Sequence, residues 1–264
     1  MRQASPVPCI LQGGPVTLTD PLSLAVIAAA FVAGGFVKGF AGMGLPLVTV
    51  AALTFAFGLP VAVMLMVVPG LVTNLWQAIG GSETGPAMRR IWPFLVACCA
   101  CVWFGTGVLT SFDADLLVVG LGLLLAGYAI VTIAGVRIDV PPSQEWWMAP
   151  VFGAVNGVAC GITGITSVPS VLYVNGLGMP RERMIQAMGM LFGLSYVAIS
   201  VALWFRGILS VEVGTLSFLA VLPALAGMWI GRRARSGTSD AGFRRAFNWL
   251  LLAIGVYLIV RGLA

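Results

Sequence analysis

Lys38 is the one full charge set inside the long apolar runs of this chain, and Gly39 follows it directly. An ionisable group buried in a bilayer marks a functional site by default. The competing reading, a long stem that lets the ammonium snorkel to an interface, suits a loop better than the glycine-rich break where Lys38 stands. That break reads Gly39-Phe-Ala-Gly42-Met-Gly44-Leu-Pro46. A second reads Gly157-Val-Ala-Cys-Gly161-Ile-Thr-Gly164-Ile-Thr-Ser-Val-Pro169, with Asn156 in the place of Lys38. Asn156 is neutral but can donate hydrogen bonds, so the pair suits one small anion. Further polar groups gather nearby: Thr163, Thr166, Ser167 and Ser170 at the second break, Asn74 and Gln77 on the long segment after the first, and Gln186, Ser195 and Tyr196 on its equivalent. The candidate substrate-binding set is therefore Lys38, Gly39, Gly42, Gly44, Asn74, Gln77, Asn156, Gly161, Thr163, Gly164, Thr166, Ser167 and Gln186. The plainer readings stand beside it: caps and bonds to the i−4 carbonyl for the hydroxyls, interhelical hydrogen bonds for the amides, and close helix packing for the glycines.

Other chemistries lack their residues. There is no histidine in the chain. No pair of acids lies inside the apolar runs, so neither a catalytic constellation nor a metal cage is indicated, and the chain is not expected to be an enzyme or to carry a cofactor. Cys98, Cys99 and Cys101 lack zinc-site spacing. They read as small packing residues; of the other two cysteines, Cys160 also lies in an apolar run and Cys9 in the N-terminal tail. The net charge of +5 sits mostly in short loops, where it is a topology signal rather than a nucleic-acid footprint.

The elements that must position these residues are membrane helices. Hydrophobic residues make up 59% of the chain and charged ones 9%, against roughly 25% charged in soluble domains. Ten apolar segments run over about 22–38, 45–57, 60–79, 91–110, 115–134, 147–158, 165–177, 182–205, 209–230 and 246–262. Segments 45–57, 147–158 and 165–177, and marginally 22–38, are shorter than the ~20 residues a span needs. They form two adjacent pairs joined by the two breaks. Proline fits the first turn of a helix, so new helices are expected to start near Pro46 and Pro169 and to turn their N-termini, which carry partial positive charge, toward the centre.

The breaks belong to an internal repeat. Gly35-Phe-Val-Lys38-Gly39 aligns with Gly153-Ala-Val-Asn156-Gly157, and Gly58-Leu-Pro60 with Gly178-Met-Pro180. The expected architecture is an all-α integral membrane protein of two inverted repeats of five segments, each opening with a Gly/Pro-broken helix pair. The first repeat covers 21–135 and the second 147–264, with a loose tail at 1–20 that is not a signal peptide and a linker at 136–146. Five segments per half invert the second half. Ten of the fourteen basic residues then fall on one side, which marks that side as cytoplasmic. The protein is expected to be multi-pass in the cell membrane, with both termini outside.

Inverted repeats with broken helices are the design of secondary transporters. The glycines Gly35, Gly39, Gly42 and Gly44 with Pro46, and Gly153, Gly157, Gly161 and Gly164 with Pro169, together with the two Gly-X-Pro turns, resemble the TauE/SafE family of sulfite exporters over almost the whole chain after residue 21. The resemblance implies export of sulfite, a sulfonate or a related sulfur anion. The expected function is thus alternating-access export of such an anion, the partners being the anion and the lipid bilayer. The alternatives are an anion channel or an importer of a related anion.

Overall fold

The computed structural model describes residues 18–79, 82–136, 138–234 and 240–263. Cys9, Arg2 and nearly all of the proposed tail, and also Arg137 and Arg235, lie outside the described residues. The described chain is helical, in the order α1 (Pro21–Ala41), α2 (Leu45–Phe57), α3 (Leu59–Ile79), α4 (Thr84–Ser111), α5 (Ala114–Ile133), α6 (Glu145–Thr163), α7 (Val168–Gly176), α8 (Arg181–Phe205), α9 (Val211–Leu219), α10 (Val221–Ala234) and α11 (Asp240–Leu263). Among the described residues, seven stretches are long and apolar enough to cross a membrane, with α9 and α10 together forming one of them. Large apolar side chains remain exposed along the outer faces, including Trp146, Trp204, Leu222 and Val211. In water such a surface would associate; in a bilayer it meets lipid tails.

The segment boundaries need three corrections. α1 has 21 residues and α6 has 19, so the first member of each pair is longer than expected, and only α2 and α7, with 13 and 9 residues, are short. The breaks shrink to Gly42–Gly44 and Gly164–Ser167, with Gly39, Gly157 and Gly161 inside helices. Propensity alone made these glycines look like breakers, but tertiary packing overrides it. A Cβ on Gly35 or Gly39 would stand 2.2 Å from the Ala224 carbonyl oxygen or 2.1 Å from that of Met228. At Gly153 and Gly157 it would meet the carbonyls of Phe94 and Cys98, at 2.3 Å in each case. These are small-xxx-small crossings, in which missing side chains let two backbones touch. The third correction is the split of 209–230 at Ala220. Pro223 has no N–H for the carbonyl of Leu219, which ends α9 there.

What remains of each break opens with the same cap. Gly42 and Gly164 take the left-handed conformation (φ 82° and 67°) and close α1 and α6, their N–H groups bonding the carbonyls of Lys38 and Cys160 at 2.8 and 2.7 Å. Glycine is the usual residue for such a cap because a side chain is strained there. Pro46 and Pro169 then sit in the first turns of α2 and α7.

Helices pair across the molecule. α1 lies on α10, α4 on α6, α3 on α8 and α5 on α11, while α8 also touches α4 and α9 touches α3. The α3–α8 contact is central, with Met64, Leu65, Met66, Leu191 and Tyr196 all buried. Pro69 interrupts the bonding of α3 by leaving the Leu65 carbonyl without its i+4 donor. Ser217 of α9 repairs the gap, its hydroxyl donating to that carbonyl at 2.9 Å and accepting from the Val68 N–H at 3.1 Å.

Candidate anion-binding site

Lys38 lies in the last turn of α1 and is 5% exposed. Its ammonium donates to the Thr73 hydroxyl at 3.1 Å and to the side-chain oxygen of Asn74, both on α3. Both acceptors are held in turn: the Thr73 hydroxyl donates to the Pro69 carbonyl and the Asn74 amide to the Gly70 carbonyl, each at 2.7 Å. The chain thus spends its own donors on backbone carbonyls and turns its oxygens toward Lys38. An ammonium has three donors, so one remains for a ligand.

That ligand has a place to sit. A cavity of about 480 Å³ is lined by Lys38, Gly39, Gly42, Thr73, Trp76, Gln77, Ile185, Met228 and Arg232. Two cations and no acid stand in this lining. The ion pairs among the described residues, Arg90–Glu145 at 2.5 Å and Arg183–Glu83 at 2.6 Å, involve neither Lys38 nor Arg232. Two like charges facing one space repel, and an anion between them turns that repulsion into attraction. Arg232 arrives through the glycine crossing. Gly227 and Gly231 on α10 meet the Val32 and Phe36 carbonyls of α1 as closely as Gly35 and Gly39 meet α10, which brings the end of α10 beside Lys38. A second cavity of about 520 Å³ adjoins the first, sharing Gly42, Gln77 and Ile185, and adds Arg181, Asn175, Asn248 and Tyr128.

The sequence-derived set divides in two. Lys38, Gly39, Gly42, Asn74 and Gln77 come together at these cavities, with the Gln77 amide donating to the Ile185 carbonyl at 3.1 Å. Gly44 packs instead near Val37 and Phe247. Gln186 is buried beside Thr84, 3.4 Å from its hydroxyl. The second-break residues form a separate region. Gly161 touches α4 at Val102 and Gly105, the Asn156 amide donates to the Cys98 sulfur at 3.4 Å, Thr163 and Gly164 end α6, and Thr166 and Ser167 lead into α7. Tyr196 of α8 links the regions: its ring fills the space over Gly70, one turn before Asn74, and its hydroxyl donates to the Gly164 carbonyl at 2.8 Å.

Sequence reasoning missed Thr73 and Arg232. Thr73 was legible as the neighbour of Asn74. Arg232 was counted only as a loop charge, although Gly227-xxx-Gly231 directly before it is the signal that this stretch packs against another glycine stripe. Among the described residues no group of three or more metal-ligating side chains occurs.

A family model described as sulfite exporter TauE/SafE matches residues 26–258. The chain belongs to the TauE/SafE family. This is a family of sulfite-exporting membrane transporters, and the matched region takes in both breaks and every residue of the two cavities. No curated protein and no solved structure matches the chain. The family and the seven apolar stretches make this TauE/SafE protein a multi-pass membrane protein.

Proposed function

We propose that this TauE/SafE protein is a secondary transporter that exports a small sulfur oxyanion, sulfite or an organosulfonate, by alternating access, binding it between Lys38 and Arg232. The observation that carries the reading is a single cavity with two cations and no acid in its lining, one cation already held by neutral oxygens. Arg232 and Arg233 end α10, and their side is cytoplasmic under the positive-inside rule. On that topology the cavity faces the cytoplasm, where an exporter must load. An inside-negative potential then favours anion exit by about 2.3 kcal/mol per charge per 100 mV, without a coupled cation.

The division into two inverted halves belongs to the same reading. Its support is the reciprocity of the helix pairs. If α1 corresponds to α6, and α4 to the α9–α10 stretch, then α1 on α10 repeats α6 on α4, and α3–α8 and α5–α11 are each their own counterpart.

The test is sulfite flux in proteoliposomes at controlled potential. Flux that saturates and speeds up when the sulfite-loaded side is made negative supports the carrier. Flux linear in concentration to high levels indicates a channel instead, and absence of flux for sulfite and for sulfonates overturns the proposal.

A further inference from the structure

The polar stretch at the second break is satisfied at both ends and empty-handed in the middle. Thr163 donates to the Ala159 carbonyl at 2.7 Å and Ser170 to the Thr166 carbonyl at 2.5 Å, the usual i−4 bonds of helical hydroxyls. Thr166 and Ser167 lie between them, 0% and 1% exposed; the Ser167 hydroxyl has no hydrogen-bond partner, and the Thr166 hydroxyl faces only the Tyr196 phenol, whose own proton goes to the Gly164 carbonyl. Ser167 occupies the N-cap position of α7, yet its side chain caps no N–H. Capping is what serine does best at that position, and an unpaired buried hydroxyl costs about 1–3 kcal/mol. An unpaired serine hydroxyl at a helix N-terminus, with the Thr166 hydroxyl next to it and N–H groups that can only donate, fits a missing acceptor.

We propose that Thr166 and Ser167, with the N-terminus of α7, form a second binding station for the transported oxyanion, closed in this conformation and opened in the opposite one. This rests on the transport reading above. The station has hydroxyl and backbone donors and no fixed charge, so it holds the anion more weakly than Lys38 and Arg232 do. Weaker binding lets the anion leave on the releasing side. Tyr196 keeps the station shut through its bond to the Gly164 carbonyl, while Val63 packs against Gly164 from α3. The ring of Tyr196 also rests on Gly70, whose carbonyl positions Asn74 beside Lys38. One side chain thereby touches the closing element of the station and the scaffold of the loading site.

The experiment measures sulfite exchange in proteoliposomes of known orientation, with KM determined separately from each face. The variants are Thr166→Val with Ser167→Ala, and Thr166→Ser alone. Loss of both hydroxyls is expected to raise KM from the extracellular face about tenfold or more while leaving the cytoplasmic KM within about twofold. Thr166→Ser keeps the donor and is expected to behave as the unsubstituted protein. An unchanged extracellular KM in the double variant means that only water fills the gap, and it overturns the station. Equal changes at both faces mean a purely structural role and overturn it as well. If the unsubstituted protein moves no sulfite and no sulfonate, the transport reading falls and the station falls with it; if that protein transports and only the predicted asymmetry is missing, the station alone is lost.

Discussion

The two breaks share a left-handed glycine cap and differ in the side chains gathered around it. At the first, Gly42 lines two cavities, and Lys38, one turn earlier, meets Arg232 across open space. At the second, Gly164 is pressed against Val63 and held by Tyr196, with Thr166 and Ser167 sealed from solvent. The break with fixed charge is open, and the break with only hydroxyls is shut. A carrier that is tight on its loading side and weak on its releasing side needs such an inequality, because an anion held equally by ammonium groups at both ends would leave neither quickly. The glycine caps end α1 and α6 alike, and the side chains around them make the two breaks different.

The largest effect is expected from removing charge at the open break. Lys38→Ala deletes a charge-assisted hydrogen bond, worth about 1.5–3 kcal/mol, and half of the local positive charge. Sulfite affinity measured by calorimetry from the cytoplasmic side is predicted to fall about 10–100-fold. Arg232→Ala is predicted to fall by a similar or smaller factor, because its guanidinium reaches the cavity from its rim. If both variants bind and transport as well as the unsubstituted protein, the open break is not the loading site and the comparison reverses.

Much of this was legible in the chain. The apolar runs, the proline starts of α2 and α7, and the singularity of Lys38 all follow from residue type and spacing, because each is local. The extent of the breaks was not. Gly39, Gly157 and Gly161 look like helix breakers until the carbonyls of Met228, Cys98 and Val102 are brought against them, and those contacts are long-range. Arg232 was hidden for the same reason: charge counting sees a loop, whereas the pairing of Gly35-xxx-Gly39 with Gly227-xxx-Gly231 puts the residue beside Lys38. The separation of Thr166 and Ser167 from the first cavity also needed the fold, since a repeat alone suggests that corresponding residues meet at one point.

The crossings test whether the regions are mechanically alike, as their distances suggest. Gly39→Ala on the open side and Gly157→Ala on the shut side each drive a methyl into a backbone carbonyl, at 2.1 and 2.3 Å. Overpacking of this kind costs about 1–3 kcal/mol, so both variants are predicted to lose roughly 2–4 °C of melting temperature per kcal/mol in thermal unfolding. A large difference between them would show that one crossing is looser than the other. Tyr196→Phe acts only on the shut side. It removes one hydrogen bond to the Gly164 carbonyl, worth about 0.5–1.5 kcal/mol, and is predicted to speed amide hydrogen exchange over Gly164–Val168 about 2–10-fold while leaving Gly42–Val48 unchanged. Faster exchange at both breaks would mean that Tyr196 supports the whole core rather than the shut break.

The smallest effect concerns the ion pair that straps α6 to α4. Arg90 meets Glu145 at 2.5 Å, a charged contact on the same helix pair as the Gly153 and Gly157 crossing. Both side chains keep a fifth or more of their surface exposed, 29% and 20%, so water already solvates the charges and the pair is worth about 0–1 kcal/mol. Glu145→Gln is therefore predicted to shift the melting temperature by no more than a few degrees, and less than Gly157→Ala does. A larger loss from Glu145→Gln than from Gly157→Ala would mean that the α4–α6 pair is held by charge at the end remote from the shut break. The small residues buried along α6 would then have no claim to setting the distance between the two helices.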